Sequence, residues 1–142
     1  MGTMAVQQIK VARAVTPEGV VEDALITFDG DRIASVEAGA GGGEGTLWAV
    51  PGFVDSHTHG AVGVAFGDPS REANMKAINY HRSQGSTTII CSTVTEPIDK
   101  LVEQEKVLRA LYEDGEIAGI HLEGPFLAEA KKGAHDPALL RD

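Results

Sequence analysis

The sequence predicts an α/β chain in which a short run of β-strands precedes strands and helices in strict alternation. Three observations carry this. Glycine-rich turns cut the chain up to about Trp48 into brief β-prone segments. Beyond Thr46 the apolar pattern alternates between continuous β-branched runs and helical spacing. The 142 residues, 42% hydrophobic and 23% charged, suit a folded chain with a core. They also fall well short of the roughly 250 residues of a complete eight-stranded (β/α) barrel.

Each element has its own signal. Residues 8–14 read as a strand, Thr16-Pro17-Glu18-Gly19 as a turn and 20–28 as a second strand. Asp29-Gly30-Asp31 is a hairpin signal, returning along 32–37. Residues 38–45 hold five glycines in eight and read as a loop or linker. So few strands cannot bury both faces alone and need a partner. The organisation then divides the chain into a small β region, 1–48, and an α/β region, 49–142.

In the second region, 47–56 reads as one strand, bent at its entry by Pro51-Gly52. Ser70 supplies an N-cap for a helix to about Gln84, with Ala73, Ala77, Ile78 and Tyr80 as its apolar positions and Gly85 as its stop. The β-branched run 86–94 predicts a buried parallel strand. Glu96-Pro97 opens a second helix through Tyr112, with Leu101, Val107, Leu108 and Leu111 on its buried face. Residues 117–122 form a third strand leading into Gly124-Pro125-Phe126. Strand-helix-strand-helix-strand in this order implies parallel strands joined by right-handed crossovers.

The balance of 12 lysines and arginines against 21 acids, net charge −9, argues against nucleic-acid binding through phosphates. It does not exclude a small anionic ligand, which one arginine or a helix N-terminus can hold. Cys91 is the single cysteine, so no intrachain disulfide forms and a reducing cytoplasm is expected. No apolar stretch nears the eighteen or so residues of a membrane span, and no secretory signal is apparent at the N-terminus.

His57-Thr58-His59 falls where a strand ends. Residues i and i+2 of an extended chain point the same way, so two imidazoles converge as a bound metal requires. In parallel α/β architectures, sites form at the carboxyl ends of strands. Glu123 stands at the corresponding end of the third strand, backed by the Gly124-Pro125 turn, and a carboxylate is an ordinary ligand of zinc or iron. Asp55 either orients a ligand or caps a turn. His121, two residues before Glu123, reads as a satisfied core histidine. His135 reads as either a substrate contact or a solvated loop residue, and His81 as a surface residue near a helix C-terminus. Cys91 reads as a small buried apolar residue. No nucleophile elbow, dinucleotide fingerprint or Walker loop is present.

Three segments together resemble the amidohydrolase superfamily and, within it, the N-acetylglucosamine-6-phosphate deacetylases. Pro51-Gly52-Phe53-Val54-Asp55-Ser56-His57-Thr58-His59-Gly60 looks like the superfamily's first barrel strand. His121-Leu122-Glu123-Gly124-Pro125-Phe126 is similar to the deacetylase third-strand motif. Lys132-Gly133-Ala134-His135-Asp136-Pro137 matches the loop that follows it. The resemblance implies a partial (β/α) barrel of three strands and two helices, preceded by strands of a small β-sandwich domain. It implies that His57, His59 and Glu123 bind a divalent metal (zinc or iron, with manganese also suited). It implies that Ala134 and His135 contact an amino-sugar phosphate, and that the full-length enzyme is a cytoplasmic homodimer with neither nucleic acid nor membrane as partner.

The same resemblance places no catalytic base in this chain. The family's aspartate base and two further ligand histidines are expected beyond Asp142. The chain therefore reads as an N-terminal third that alone binds metal poorly and catalyses nothing. Two other readings stay open: a related cyclic-amide amidohydrolase of the dihydroorotase, hydantoinase or adenine deaminase kind, and a non-catalytic scaffold fragment whose exposed sheet edges favour association.

Overall fold

The computed structural model describes residues 7–39 and 46–142. They fall into two compact units, Met1–Pro51 and Gly52–Asp142. Positions 40–45 of the expected glycine-rich loop lie outside the described residues.

The first unit is one sheet. Strands β1 (Gln7–Thr16), β2 (Gly19–Asp29), β3 (Arg32–Glu37) and β4 (Trp48–Ala49) lie in the order β3-β2-β1-β4. The first three pair antiparallel, each joined by the short turn its sequence signals, while β4 runs parallel to β1. Val11 and Ala14 from β1 and Ala24 and Ile26 from β2 are buried as its core. Arg13 bridges β1 to both neighbours, pairing with Glu22 at 2.9 Å and lying over the Trp48 ring at 4.9 Å.

The expected single strand over 47–56 is two. Pro51 lacks an amide hydrogen and cannot continue a ladder. The chain therefore leaves the first sheet after β4 and starts a second with β5 (Phe53–Thr58). Two-residue strands β6 (Gly60–Ala61) and β7 (Val64–Ala65) follow as a small antiparallel hairpin. Helix α1 (Arg71–Ser83), strand β8 (Ser86–Thr93), helix α2 (Ile98–Glu113) and strand β9 (Gly119–Leu122) complete the alternation. The sheet order is β5-β8-β9, all parallel, as two β-α-β crossovers require. The architecture is thus the mixed α/β expected, with two helices. Among the described residues no helix is long and apolar enough to cross a membrane.

The helices form where their caps and stripes dictate. The Ser70 hydroxyl accepts from the Ala73 amide at 3.2 Å and starts α1. Pro97 occupies the N-cap of α2. The α2 stripe buries Leu101, Leu108 and Leu111, whereas Val107, expected on the same face, is only half-buried. In α1 the stripe differs: Ala77 and Ile78 are buried, but Tyr80 is 45% exposed and Asn74 is fully buried. Asn74 is satisfied there. Its Oδ1 accepts from the Gly67 amide, and its Nδ2 donates to the carbonyls of Asp68 and Ser70. Around the helices pack Phe66, Ile89, Cys91 and Ile117. Cys91 has no exposed surface, and burial, with Asp55's charge adding, pushes its thiol up to about 12. The expectation of an inert apolar cysteine fits that environment.

Candidate metal centre

The carboxyl ends of β5 and β9 hold the three residues that strand parity points together. His57 and His59 flank Thr58, the last residue of β5, and Glu123 is the first residue after β9. His57 Nε2 lies 3.0 Å from His59 Nε2. Glu123 Oε2 lies 3.0 Å from the first and 2.9 Å from the second. One ligand atom from each residue thus falls in a group spanning no more than 4.8 Å.

Such a triangle suits a cation better than it suits hydrogen bonding. Each neutral imidazole has one N–H, and the ionised carboxylate has none. Two Nε2 atoms in contact therefore need one ring to donate and the other to accept. Edges near 3 Å are also those of nitrogen and oxygen ligands about 2.1 Å from a shared ion. His59 Nδ1 is buried with no partner among the described residues, so nothing on that side fixes the ring's tautomer. Two imidazoles and a carboxylate suit zinc, iron and manganese alike.

Glu123 is held from two further directions. His135 Nε2 lies 3.1 Å from Glu123 Oε1. The Thr95 amide donates to His135 Nδ1 at 3.4 Å, which makes Nδ1 the acceptor and Nε2–H the donor to Glu123. The Thr95 hydroxyl also donates to the Glu123 carbonyl at 3.2 Å. Gly124, at φ +87, permits this approach, because a Cβ there would overlap the Thr95 hydroxyl. The Glu123 carboxyl is held below the usual carboxylate range by the His135 hydrogen bond; burial opposes this, and His57 and His59 reinforce it.

The remaining candidates divide. Ala134 is exposed and, with His135, Val94, Thr95 and Asp136, lines a cavity of about 260 Å³. His135 is not a solvated loop histidine, since its side chain is only 13% exposed. Asp55 Oδ1 accepts the His57 amide at 3.3 Å, the turn-capping one of the two roles left open for it. His121 is satisfied by Ser92 Oγ at 3.1 Å, with its ring centroid 4.9 Å from that of His57. His81 departs from expectation: its side chain is 17% exposed and turned toward the end of β5. Thr95 was not singled out from the sequence. Its one signal was its place just past a parallel strand's carboxyl end, where α/β sites form.

No protein-family profile matches the chain. It is 30% identical over 132 residues to the N-acetylglucosamine-6-phosphate deacetylase of Vibrio furnissii, a match covering 85% of this chain and 33% of that protein. It is 36% identical over 100 residues to the N-acetylgalactosamine-6-phosphate deacetylase of Shewanella sp. (strain ANA-3), covering 68% of this chain and 25% of that one. Among solved structures, it matches a variant N-acetyl-D-glucosamine-6-phosphate deacetylase from Mycobacterium smegmatis in complex with N-acetyl-D-glucosamine-6-phosphate. That match has TM-score 0.84 and 34% identity, covering 98% of this chain and 38% of that one.

Fold and relatives together place the chain among relatives of the amino-sugar phosphate deacetylases. More narrowly, the chain belongs to the N-acetylglucosamine-6-phosphate deacetylase family and matches its N-terminal portion. It spans about a third of the length of the relatives it matches.

Proposed function

We propose that this chain supplies the first part of the active site of a metal-dependent hydrolase. The reaction removes the acetyl group of N-acetylglucosamine 6-phosphate, giving glucosamine 6-phosphate and acetate. The observation that carries the reading is the His57–His59–Glu123 triangle at the carboxyl ends of two parallel strands. In this reading the α/β unit is the start of a (β/α) barrel, and the first sheet is part of a small β-sandwich. The enzyme is a cytoplasmic homodimer.

His57, His59 and Glu123 would hold a zinc, iron or manganese ion. Such an ion acidifies water to a pKa of about 7 and polarises an amide carbonyl, the two obstacles to amide hydrolysis at neutral pH. The residues of this chain shape the rest. Glu123 offers Oε2 to the triangle because His135 occupies its Oε1. Ala134 and His135 border the cavity in which the sugar phosphate would make contact. The base that takes the water's proton and protonates the leaving amine is not among these residues.

The galactosamine-named relative favours a second sugar, the 4-epimer N-acetylgalactosamine 6-phosphate, on the same chemistry. The decisive experiment measures zinc content alongside the release of acetate from both sugars, using the longest reading frame that contains this chain. His57→Ala and Glu123→Ala are each expected to lose stoichiometric metal and nearly all activity. Full metal retention in both variants overturns the site, and hydantoin hydrolysis without acetate release overturns the reaction.

A further inference from the structure

Sheet pairing weakens where the two histidines must be held most firmly. The β5–β8 register breaks between Asp55 and Thr58. Gly60, at φ +134, then turns the chain into the β6–β7 hairpin. Residues 55–60 therefore need support from outside the ladder, and α1 provides it. The buried residues of α1, Asn74, Ala77 and Ile78, are followed by the half-buried His81, at the i, i+3, i+4, i+7 spacing of one helix face. Its last member reaches the strand end. His81 Nε2 lies 3.1 Å from the Gly60 carbonyl and 3.3 Å from Thr58 Oγ1. A carbonyl only accepts, so Nε2 carries the proton.

The other ring nitrogen lies toward Asp55, which holds the same strand end. His81 Nδ1 lies 3.8 Å from Asp55 Oδ2, and Asp55 Oδ1 accepts the His57 amide. Phe66 backs the imidazole, ring centroids 6.1 Å apart. Asp55 and His81 thus hold residues on both sides of each candidate ligand: the His57 amide, the Thr58 hydroxyl between the pair and the carbonyl that follows His59. A histidine serving only as a positive tip at a helix end would face solvent, and this one does not. We propose that His81, acting with Asp55, is a positioning residue that fixes His57-Thr58-His59 in the geometry that binds a cation. The proposal rests on the metal reading above.

Competition for zinc between a chromophoric chelator and the protein of the longest reading frame that contains this chain tests it, with thermal unfolding of the metal-free protein as the parallel readout. His57→Ala is expected to abolish the competing site. His81→Leu keeps the apolar packing but removes the polar contacts, and should weaken zinc binding about 10- to 100-fold, the usual effect of losing a ligand-orienting partner. Its metal-free midpoint should stay within about 4 °C of the parent, the shift that roughly 1 kcal/mol produces. His81→Gln keeps an N–H donor in reach of Gly60 and should recover most of the affinity. Parental affinity in His81→Leu overturns the proposal, as does equal loss in His81→Leu and His81→Gln accompanied by equal loss of stability. Should His81→Leu not fold, Asp55→Ala decides: an unchanged zinc affinity there also overturns it. Parental zinc binding in His57→Ala sinks the metal reading itself, and the proposal with it.

Discussion

The two units solve the same burial problem with unequal means. The first buries four small or medium side chains, Val11, Ala14, Ala24 and Ile26, and leaves Val20, Ile33 and Val50 more than half exposed. The second, with a helix after each of the first two strands of its parallel sheet, gathers eight into one cluster, among them Ile78, Ile89, Leu108 and Leu111 with essentially no surface in water. A sheet offers one apolar face per side and needs a second layer to cover it, whereas β-α-β brings its own cover. The unit that carries the candidate site is therefore the one with the deeper core, and the geometry of that site is expected to outlast the sheet under stress.

Two probes separate the units. Trp48 is the single tryptophan and lies in the first, while both helices lie in the second. The largest effect is expected for Leu108→Ala, which should lower the unfolding free energy read by helical circular dichroism by about 3 kcal/mol, as for other fully buried leucines. The tryptophan transition should stay in place. Equal shifts in both signals would mean one cooperative unit and break the comparison. Ile26→Ala is the converse and should cost about 2 kcal/mol in the tryptophan signal, less than Leu108→Ala because a thinner core collapses more easily around the cavity. A larger loss than that of Leu108→Ala would show that the sheet's core is the stronger one.

What the sequence revealed follows from what is local. The helices were legible because Ser70 and Gly85 bracket one of them and a leucine stripe marks the other. The convergence of His57, His59 and Glu123 was legible because strand parity and parallel topology fix the direction of strand-end side chains. Asn74 and His81 were not, since their places on one face of α1 depend on loop carbonyls and hydroxyls that only the fold brings within reach. Polar residues on an apolar face look like errors in a hydrophobic pattern until their partners are known. The same holds for Thr95, whose value lies in Glu123 and His135, 28 and 40 residues away. The break at Pro51 was visible as a bend, but that it separates two sheets is a matter of which strands come to pair.

The smallest effect tests the depth of the second core through a group that takes no part in the proposed chemistry. Cys91 sits on β8 in the same core cluster as residues of both helices, with its thiol pushed up to about 12 mainly by burial. A folded-state pKa above the unfolded value means that the folded form keeps its proton longer. The associated stability is fully present below the unfolded value near 9.0 and is lost progressively as pH rises toward 12. Two measurements follow. Iodoacetamide, which reacts with the thiolate, should leave the native chain unlabelled at pH 9 and label it at once in denaturant. Helical circular dichroism should report a midpoint that is flat up to about pH 9 and then declines, and Cys91→Ala should remove part of that decline. Rapid labelling of the native chain would mean that the α/β core opens readily, and the contrast between the two units would then be one of layer number rather than of depth.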